Sequence, residues 1–476
     1  MKRAMYTDKA ASFTDYYEFT MAQGYFLSGL AQKTASFDYF FRKVPYEGSF
    51  VIFAGLATLL DTLVEYRFTD DELRYLERQD FDRRFIEYLA SFRFAGSIAS
   101  VLEGEVIFPR APVLRVEGNL VETQLIETLL LNILNFQSLI ATKAARIRLA
   151  AGPDATLLDF GLRRSQGLGG LHATRAACIG GFDGTSNVLA AQDYGLVAGG
   201  TMGHSWVQSF ESELEAFRTY AAHFPDNTTL LVDTYDTLLC GLPNAITVAK
   251  ELQAKGHRLQ AIRLDSGDLA YLSKKARAML DTAGLRQVKI VASNQLDEHV
   301  INSLIAQQAE IDIYGVGTRL VTGAPDAALD GVYKLSSVDG RPRLKVSDNL
   351  EKITLPGIKA VRRYLNPDGT FHGDAVGLEA NDPFERIHDP LFPARQTSLE
   401  TMSGSTLLHS VMDRGDISVD PATTSQSAAY SRQRLQLLSD ECKRCANPHI
   451  YKVGITPTLL SLRDELIEAS KTSCRH

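Results

Sequence analysis

Short apolar runs alternate with helix-like stretches between residues 156 and 316, and this alternation limits the possible folds more than any other feature. The apolar runs are Thr156–Phe160, Leu196–Thr201, Thr229–Asp233, Leu259–Leu264, Val288–Ala292 and Ile311–Val316. Helical spacing predicts helices at Leu242–Lys255, Ala270–Ala283 and Asp297–Gln307. Such alternation is typical of a parallel sheet. Because no G-x-G-x-x-G dinucleotide fingerprint is present, we favour a closed α/β barrel over an open sheet.

Polar and glycine-rich clusters follow these strands, at the point where each strand is predicted to end. The clusters lie at 159–164, 182–187, 200–206, 233–236, 263–268, 293–294 and 315–319. The carboxyl ends of parallel strands meet at one edge, and loops at that edge build the active sites of barrel enzymes. A structural protein has no need for charge and glycine at every strand end, so the pattern predicts a site assembled from several loops.

The length of 476 residues predicts more than one domain. We predict an N-terminal α/β domain at 1–150, a barrel carrying the active site at 151–335, and a segment at 336–476 that packs back on the N-terminal domain. Residues 119–150 are predicted to form one long helix or two abutting helices, with Asn119 and Glu122 as a capping box. A terminal helix is predicted at 457–469.

Charge and hydropathy argue against two classes of partner, nucleic acid and the membrane. With 50 Lys and Arg against 57 Asp and Glu, the net charge of −7 disfavours general binding of nucleic acid. The most apolar long stretch, Leu125–Ile140, contains Glu127 and three amides, which disfavours a membrane span. No apolar run follows the basic N-terminus, so a signal peptide is not predicted and the cytoplasm is the expected compartment.

Two further groups of residues have ordinary explanations. Cys442 and Cys445 form a lone C-x-x-C, which fits two ordinary thiols better than a metal or redox site. A basic set is interpreted as a solvated surface, with a share in phosphate binding left open; it consists of Arg341, Arg343, Lys345, Lys352, Lys359, Arg362 and Arg363.

The strand-end segment Gly315–Arg319 is a candidate phosphate site. Glycine lets backbone N–H groups approach an anion, and a following helix start adds a favourable dipole. The alternative is a tight turn in which glycine is needed for a positive φ. No Walker A sequence is present, so any use of ATP requires another design.

Arg263, Asp265, Asp268 and His204 are the candidate chemical groups. Arginine can hold a carboxylate or phosphate by a two-pronged contact, and the two acids could bind Mg²⁺ directly or through water. The alternative for Arg263, Asp265 and Asp268 is a surface ion-pair network. His204, three residues after Thr201, is either a catalytic group or a satisfied structural histidine.

Several motifs resemble the nicotinate phosphoribosyltransferase family, in order and through nearly the whole chain. They are TDYYEFTMA at 14–22, FFRKVP at 40–45, FGLRR at 160–164, GGFDGTSN at 180–187, GTMGHSW at 200–206, IRLDSGD at 262–268, GVGTRL at 315–320, GVYKL at 331–335, TLPG at 354–357 and NPHIY at 447–451. The resemblance implies the type II phosphoribosyltransferase fold, an irregular parallel α/β barrel plus an α/β sandwich domain built from both chain ends.

The resemblance also implies a reaction. Nicotinate and phosphoribosyl pyrophosphate would form nicotinate mononucleotide and pyrophosphate, the first step of NAD biosynthesis from nicotinate. ATP hydrolysis would be coupled through a phosphohistidine at His204, with Mg²⁺ assisting. The family commonly forms homodimers.

Roles for other residues follow from matching motif positions. Tyr17, Thr201 and Arg263 would contact nicotinate. Gly315, Gly317 and Thr318 would hold phosphate of the donor, Arg163 would bind substrate, and Asp265 would be a site carboxylate near the ribose.

Ser186 bears on the choice between acid and amide substrates. Related nicotinamide-using enzymes carry an aspartate at the position equivalent to Ser186, and an aspartate there would repel a carboxylate. Asp183 would weaken this inference if its side chain pointed into the site. The alternatives are a phosphoribosyltransferase that uses nicotinamide or quinolinate, and a non-catalytic protein that binds phosphorylated sugars.

Overall fold

The chain divides into two compact units in a computed structural model that describes residues 9–347, 352–380 and 382–473. The first unit combines Met1–Thr142 with Ala328–His476, and the second is Lys143–Ala327. These divisions lie at residues 142 and 327, whereas the sequence analysis placed them at 150 and 335.

The first unit contains two large sheets. A seven-stranded antiparallel sheet has the order Arg341–Pro342, Gly331–Val338, Thr34–Phe41, Leu114–Asn119, Ser97–Ser100, His409–Asp413 and Asp416–Ile417. A six-stranded sheet has the order Gln396–Ser398, Arg386–His388, Val453–Ile455, Phe371–Leu378, Lys359–Leu365 and Ser403–Thr406. Val51–Ile52 pairs with Val106–Ile107. Because the larger sheet takes strands from both chain ends, the predicted α/β sandwich domain is confirmed.

Helices cover these sheets. They are Tyr16–Leu27, Leu56–Val64, Asp70–Glu77, Arg83–Ala90, Leu120–Leu125, Glu127–Ala151, Thr424–Leu437, Asp440–Lys443 and Pro457–Ser473. The stretch predicted as one or two helices is two, and the first begins with the predicted capping box between Asn119 and Glu122. The second, Glu127–Ala151, crosses the division between the units. Within the described ranges, no helix is both long and apolar enough to cross a membrane.

The basic set interpreted as a solvated surface is partly wrong. Lys359 and Arg363 are buried, whereas their neighbour Arg362 is exposed. Lys359 pairs with Asp38 at 2.7 Å, and Arg363 pairs with both Glu105 and Asp374. The two buried cations share the strand Lys359–Leu365 at an even spacing, which places them on the same buried face of the strand.

The second unit is built on a parallel six-stranded sheet. Its strands, in spatial order, are Gly184–Thr185, Thr156–Asp159, Ile313–Val316, Lys289–Ser293, Ala261–Leu264 and Thr229–Leu231. The helices are Gly169–Ile179, Val188–Tyr194, His204–Gln208, Glu213–His223, Leu242–Ala254, Leu269–Thr282, Glu298–Ala306 and Thr318–Val321. Since all the pairings are parallel, the carboxyl ends of the strands lie at one edge.

The barrel is curled but open, because one predicted strand does not form. Leu196–Thr201 contributes a single bridge, Ala198 to Thr185, and no ladder within the described residues. Gly199 and Gly200 supply no side chains to pack on a sheet and lose much chain entropy when fixed, which weakens a strand at this place. The irregular α/β barrel is therefore confirmed as a half-barrel, and the expectation of full closure is wrong.

Candidate active site

Arg263 occupies the centre of the polar cluster at the carboxyl edge of the second unit's sheet. Its guanidinium donates from Nε to Ser293 Oγ at 2.8 Å, from Nη1 to Thr201 Oγ1 at 3.1 Å, and from Nη2 to Asp265 Oδ1 at 3.0 Å. The guanidinium also lies 5.5 Å from the centroid of the Phe160 ring. Three strand-end loops therefore hold one half-buried cation in a fixed orientation, which suits it to recognise a planar anion.

Asp265 is the carboxylate beside this cation. It accepts hydrogen bonds from Arg263 and from Ser293, and its backbone N–H donates to Asp233 Oδ2 at 2.8 Å. Burial, the largest single effect, raises the pKa of Asp265, but Ser293 and the charges of Arg263 and His204 together bring that pKa below its usual value. Asp265 is therefore ionised at neutral pH and offers a negative charge at the sheet edge.

Asp233 is a second carboxylate of the cluster. Its Oδ2 atom accepts from the Asp265 amide and from Ser266 Oγ at 2.6 Å, while its Oδ1 atom is buried and makes no hydrogen bond within the described residues. Asp268, which the sequence analysis paired with Asp265, instead caps the helix Leu269–Thr282 through the Tyr271 amide at 3.0 Å. The structure thus brings Asp233, rather than Asp268, into direct contact with the residue Asp265.

His204 begins the helix His204–Gln208 and joins the same cluster. Its Nδ1 atom lies 3.2 Å from Thr234 Oγ1, and its Nε2 atom lies 3.7 Å from Asp265 Oδ2. The imidazole side chain is 40% exposed, so a molecule from solvent can reach it. The neighbouring Trp206 donates to the carbonyl of Ala216 at 3.1 Å and belongs to the unit's packing rather than to the cluster.

Ser186 follows the strand Gly184–Thr185 and contacts a buried polar network at Asp159. Its hydroxyl donates to the carbonyl of Asp159 at 3.2 Å. The Asp159 carboxylate is buried and accepts from Thr174 Oγ1 at 2.7 Å and from Thr185 Oγ1 at 2.9 Å. This network joins the segment after Asp159, which carries Phe160, to the segment that carries Ser186.

Asp183 does not contribute a carboxylate to this edge. Its Oδ2 atom accepts from Arg148 at 2.6 Å and from the Leu157 amide at 2.8 Å. Leu157 is near the amino end of its strand, whereas Ser186 bonds to Asp159 at the carboxyl end. Asp183 therefore does not weaken the inference that Ser186 favours a carboxylate over an amide ligand.

The glycine segment at 315–319 has a packing role that the sequence did not show. A Cβ atom on Gly315 would lie 2.4 Å from Cε2 and 2.5 Å from Cδ2 of Phe160, closer than real contacts allow. Neither Gly315 nor Gly317 has a positive φ, so the alternative of a turn that needs one is wrong. Gly317 precedes the short helix Thr318–Val321, and Thr318 is exposed.

The substitution Gly315→Ala is expected to displace Phe160 and, through it, Arg263. Overpacking of this kind lowers the free energy of unfolding by about 1–3 kcal/mol. Because Arg263 is displaced with Phe160, kcat/KM should also fall by about fivefold or more, which corresponds to about 1 kcal/mol of lost transition-state binding. Gly199→Ala is the control, because its Cβ would meet only Leu158 Cδ2 at an ordinary 3.9 Å. Steady-state kinetics with each substrate varied in turn measures both, and an unchanged Gly315→Ala enzyme would contradict the packing role.

Two predicted site residues stand apart from the contacts described above. Arg163 is exposed in the turn Leu162–Arg164, which follows the strand that ends at Asp159. Tyr17 belongs to the first unit, in the helix Tyr16–Leu27, and its side chain is 46% exposed. Burial, the largest effect, and a hydrogen bond to Glu18 raise the pKa of Tyr17, so its phenol is neutral at ordinary pH. Both assignments stay predictions that rest on the resemblance.

Ser293 and Thr234 are functional candidates that the residue-by-residue reasoning passed over. Ser293 touches both Arg263 and Asp265, and Thr234 touches His204. Each lies at a strand end, and that position in the sequence is the signal that could have identified both residues as candidates. No group of three or more His, Cys, Asp or Glu side chains among the described residues is arranged to hold a metal ion.

Comparison with family models places almost all of the chain in one family. Residues 155–379 match the nicotinate phosphoribosyltransferase (NAPRTase) family. Residues 13–135 match the nicotinate phosphoribosyltransferase N-terminal domain, and residues 358–463 match the corresponding C-terminal domain.

Individual relatives and a solved structure agree with these matches. The nicotinate phosphoribosyltransferase of Bacillus subtilis is 42% identical over 98% of this chain and 96% of its own length. The human nicotinate phosphoribosyltransferase is 34% identical over 95% of this chain and 96% of its own length. The crystal structure of human nicotinic acid phosphoribosyltransferase superposes with a TM-score of 0.85 and 32% identity, covering 95% of this chain and 99% of that one.

Proposed function

The chain belongs to the nicotinate phosphoribosyltransferase family, and from that premise we propose that the strand-end cluster around Arg263 is its active site. The enzyme joins nicotinate to phosphoribosyl pyrophosphate and releases nicotinate mononucleotide and pyrophosphate, the first step of NAD biosynthesis from nicotinate. The observation that carries the assignment of the site is the fixed guanidinium of Arg263, held by Thr201, Ser293 and Asp265.

Arg263 and Thr201 bind the carboxylate of nicotinate in this proposal. The guanidinium supplies the positive charge, and the hydroxyl that it already contacts at 3.1 Å supplies a second polar partner. The Phe160 ring beside Arg263 offers an apolar surface for the pyridine ring. Tyr17 is a further proposed contact, from the resemblance alone. The ring nitrogen of nicotinate is then the nucleophile and needs little activation.

Asp265 acts on the developing charge of the sugar. Displacement at the anomeric carbon builds positive, oxocarbenium-like charge, and a carboxylate that is ionised at neutral pH stabilises it. Because the pKa of Asp265 lies below its usual value, its carboxylate carries that negative charge at neutral pH. Gly315, Gly317, Thr318 and Arg163 are proposed to hold the phosphate groups of the donor, through backbone N–H groups, a hydroxyl and a cation.

Magnesium fits this cluster with few protein ligands. Mg²⁺ usually keeps several waters and is bound through one or two carboxylates together with substrate phosphates. The buried Oδ1 atom of Asp233, which lacks a hydrogen bond within the described residues, and the carboxylate of Asp265 are the proposed ligands. When bound, the ion would neutralise charge on the departing pyrophosphate.

His204 is the proposed phosphoryl acceptor from ATP. The γ-phosphoryl group would pass to an imidazole nitrogen with release of ADP, and water would later remove it as phosphate and restore the imidazole. The Nε2 atom of His204 lies 3.7 Å from Asp265 Oδ2, so a phosphoryl group on this imidazole would place new negative charge near the carboxylate and Arg263 and change the electrostatics of the site. Exposure of the side chain and its contact with Thr234 support this role.

Ser186 supports the choice of an acid over an amide. A hydroxyl at this place carries no charge that would repel the nicotinate carboxylate, whereas an aspartate would. We further propose that the enzyme is a cytoplasmic homodimer, in line with the expectation from the resemblance.

The substitution Arg263→Ala tests the assignment of the site. Loss of a hydrogen-bonded, half-buried cation should cost about 2–4 kcal/mol, so kcat/KM for nicotinate should fall by roughly 30- to 900-fold. Arg286→Ala, at an exposed position of the same unit, is the control and should retain wild-type kinetics. A kcat and KM near wild type for Arg263→Ala would contradict the assignment.

A further inference from the structure

Ser293 connects the two charged groups at the centre of the strand-end cluster. It is the last residue of the strand Lys289–Ser293, it is 3% exposed, and it lies beside Gly315 in the parallel pairing with the next strand. A serine in such a place can simply satisfy a buried neighbour. Its contacts with Arg263 and Asp265, however, have a more specific arrangement.

The serine hydroxyl closes a ring of three hydrogen bonds. Arg263 donates from Nε to Ser293 Oγ at 2.8 Å, Ser293 Oγ donates to Asp265 Oδ1, and Arg263 donates from Nη2 to the same Oδ1 atom at 3.0 Å. A guanidinium can only donate, so the hydroxyl oxygen accepts from it and the single hydroxyl hydrogen is left for the carboxylate. The direction of all three bonds therefore follows from the chemistry of the three side chains.

The ring leaves one oxygen of Asp265 available. Oδ1 accepts from two donors, which uses both of its lone-pair positions. Oδ2 accepts no hydrogen bond from any described residue, and it lies 3.7 Å from His204 Nε2. Because the terminal torsion of an aspartate has a broad, nearly two-fold preference, contacts to one oxygen decide which oxygen stays free. Ser293 supplies one of the two contacts that make this choice.

The cation of the ring depends less on the serine than the carboxylate does. Without Ser293, the guanidinium of Arg263 keeps three acceptors, which are Thr201 Oγ1, the Met202 carbonyl and Asp265 Oδ1. Asp265 would keep only one of the two hydrogen bonds that its carboxylate accepts. Alignment of the carboxylate is therefore the property of the cluster that depends most on the serine hydroxyl.

We propose that Ser293 is a positioning residue for the reaction, which holds the Asp265 carboxylate with Oδ2 free to stabilise the sugar cation. The proposal rests on the roles given above to Arg263 and Asp265. It predicts a defect in turnover rather than in the binding of nicotinate, since the contact of Arg263 with Thr201 remains. A role limited to packing at the strand end predicts lower stability without this division between kcat and KM.

Steady-state kinetics of three variants separates the hydroxyl from the volume of the side chain. Ser293→Ala removes the hydroxyl, Ser293→Cys keeps a similar volume with a weak donor, and Ser293→Thr keeps the hydroxyl. We expect kcat to fall by at least about tenfold in the first two variants, the effect of losing a hydrogen bond to a charged group, while KM for nicotinate stays within about threefold. Ser293→Thr should return kcat to within about threefold of the wild-type value.

Ser273→Ala is the matched control. Ser273 is fully buried in the helix Leu269–Thr282 of the same unit, and its hydroxyl donates to the carbonyl of Ala270 at 3.2 Å. This variant should keep the wild-type kcat even where it lowers the free energy of unfolding. The proposal would be overturned by an unchanged kcat in Ser293→Ala, by a rise in KM without a fall in kcat, or by a Ser293→Thr enzyme as slow as Ser293→Ala.

Two further variants keep this result apart from the proposed function. Arg263→Ala and Asp265→Asn remove the groups that Ser293 is proposed to align. If both lose activity while Ser293→Ala does not, the assignment of the site stands and the positioning role alone is overturned. Wild-type kinetics in both would overturn the assignment of the site, and the positioning role with it.

Discussion

Replacement of His204 with asparagine is expected to abolish ATP hydrolysis and the ATP-driven gain in nucleotide synthesis, while slow ATP-independent synthesis remains. An amide nitrogen is not nucleophilic and cannot accept the phosphoryl group, although it can still bond to Thr234. Because Arg263, Thr201 and Asp265 stay in place, binding of nicotinate and stabilisation of the sugar cation should persist. The ATP hydrolysis rate and the rate of mononucleotide formation, with and without ATP, measure the two effects separately.

His223→Asn is the matched control. His223 is an exposed histidine at the end of the helix Glu213–His223, in the same unit. The His223→Asn enzyme should retain ATP hydrolysis and the ATP-driven gain in synthesis. Their loss in His204→Asn would then be specific to His204 and not a result of removing any exposed histidine. Wild-type ATP coupling in the His204→Asn enzyme would remove His204 from the mechanism.

Replacement of Arg363 with methionine is expected to lower the free energy of unfolding by about 3–5 kcal/mol, the range for breaking a buried ion pair. The guanidinium is fully buried, donates twice to Asp374 at 2.8 Å and once to Glu105 at 2.7 Å, and lies 4.3 Å from the centroid of the Phe371 ring. Methionine fills much of the volume but leaves two buried carboxylates without their shared cation. Arg434 and Tyr451 still contact these carboxylates, which keeps the loss within this range.

The neighbouring Arg362→Met provides the control within the same strand. Arg362 is exposed, and its guanidinium lies 4.5 Å from the centroid of the Phe384 ring. Loss of such an exposed cation–π contact costs about 1 kcal/mol or less. Denaturant unfolding of both variants gives the comparison, and an Arg363→Met protein no less stable than Arg362→Met would contradict the structural role of this ion pair.

The grouping of the residues of the proposed site could be predicted from the sequence because parallel strands bring their carboxyl ends together. Thr201 and His204 come from one motif and Arg263 and Asp265 from another. The structure links the two motifs through the contacts of Arg263 with Thr201 and of His204 with Asp265. The alternation of strands and helices was sufficient for this, since it depends only on local hydrophobic patterns.

Contacts that depend on three-dimensional packing could not be predicted in the same way. The alternative explanation for Gly315 was a turn with a positive φ. The structure shows instead that the Phe160 ring leaves no room for a Cβ atom at this position. Arg363 and Arg362 are adjacent and alike in sequence, yet one is buried and the other exposed, because neighbours on a strand face opposite sides. The open barrel follows from a short segment whose strand preference is reduced by two glycines.

Phosphorylation of His204 is the most direct test of the proposed coupling. The enzyme is incubated with ATP labelled in the γ-phosphoryl group, and the modified peptide is identified by mass spectrometry under alkaline conditions, in which phosphohistidine is stable. The account predicts an acid-labile phosphoryl group on the peptide that contains His204, which disappears when nicotinate and phosphoribosyl pyrophosphate are added. No label at His204, or a label at another residue that turns over with the substrates, would contradict it.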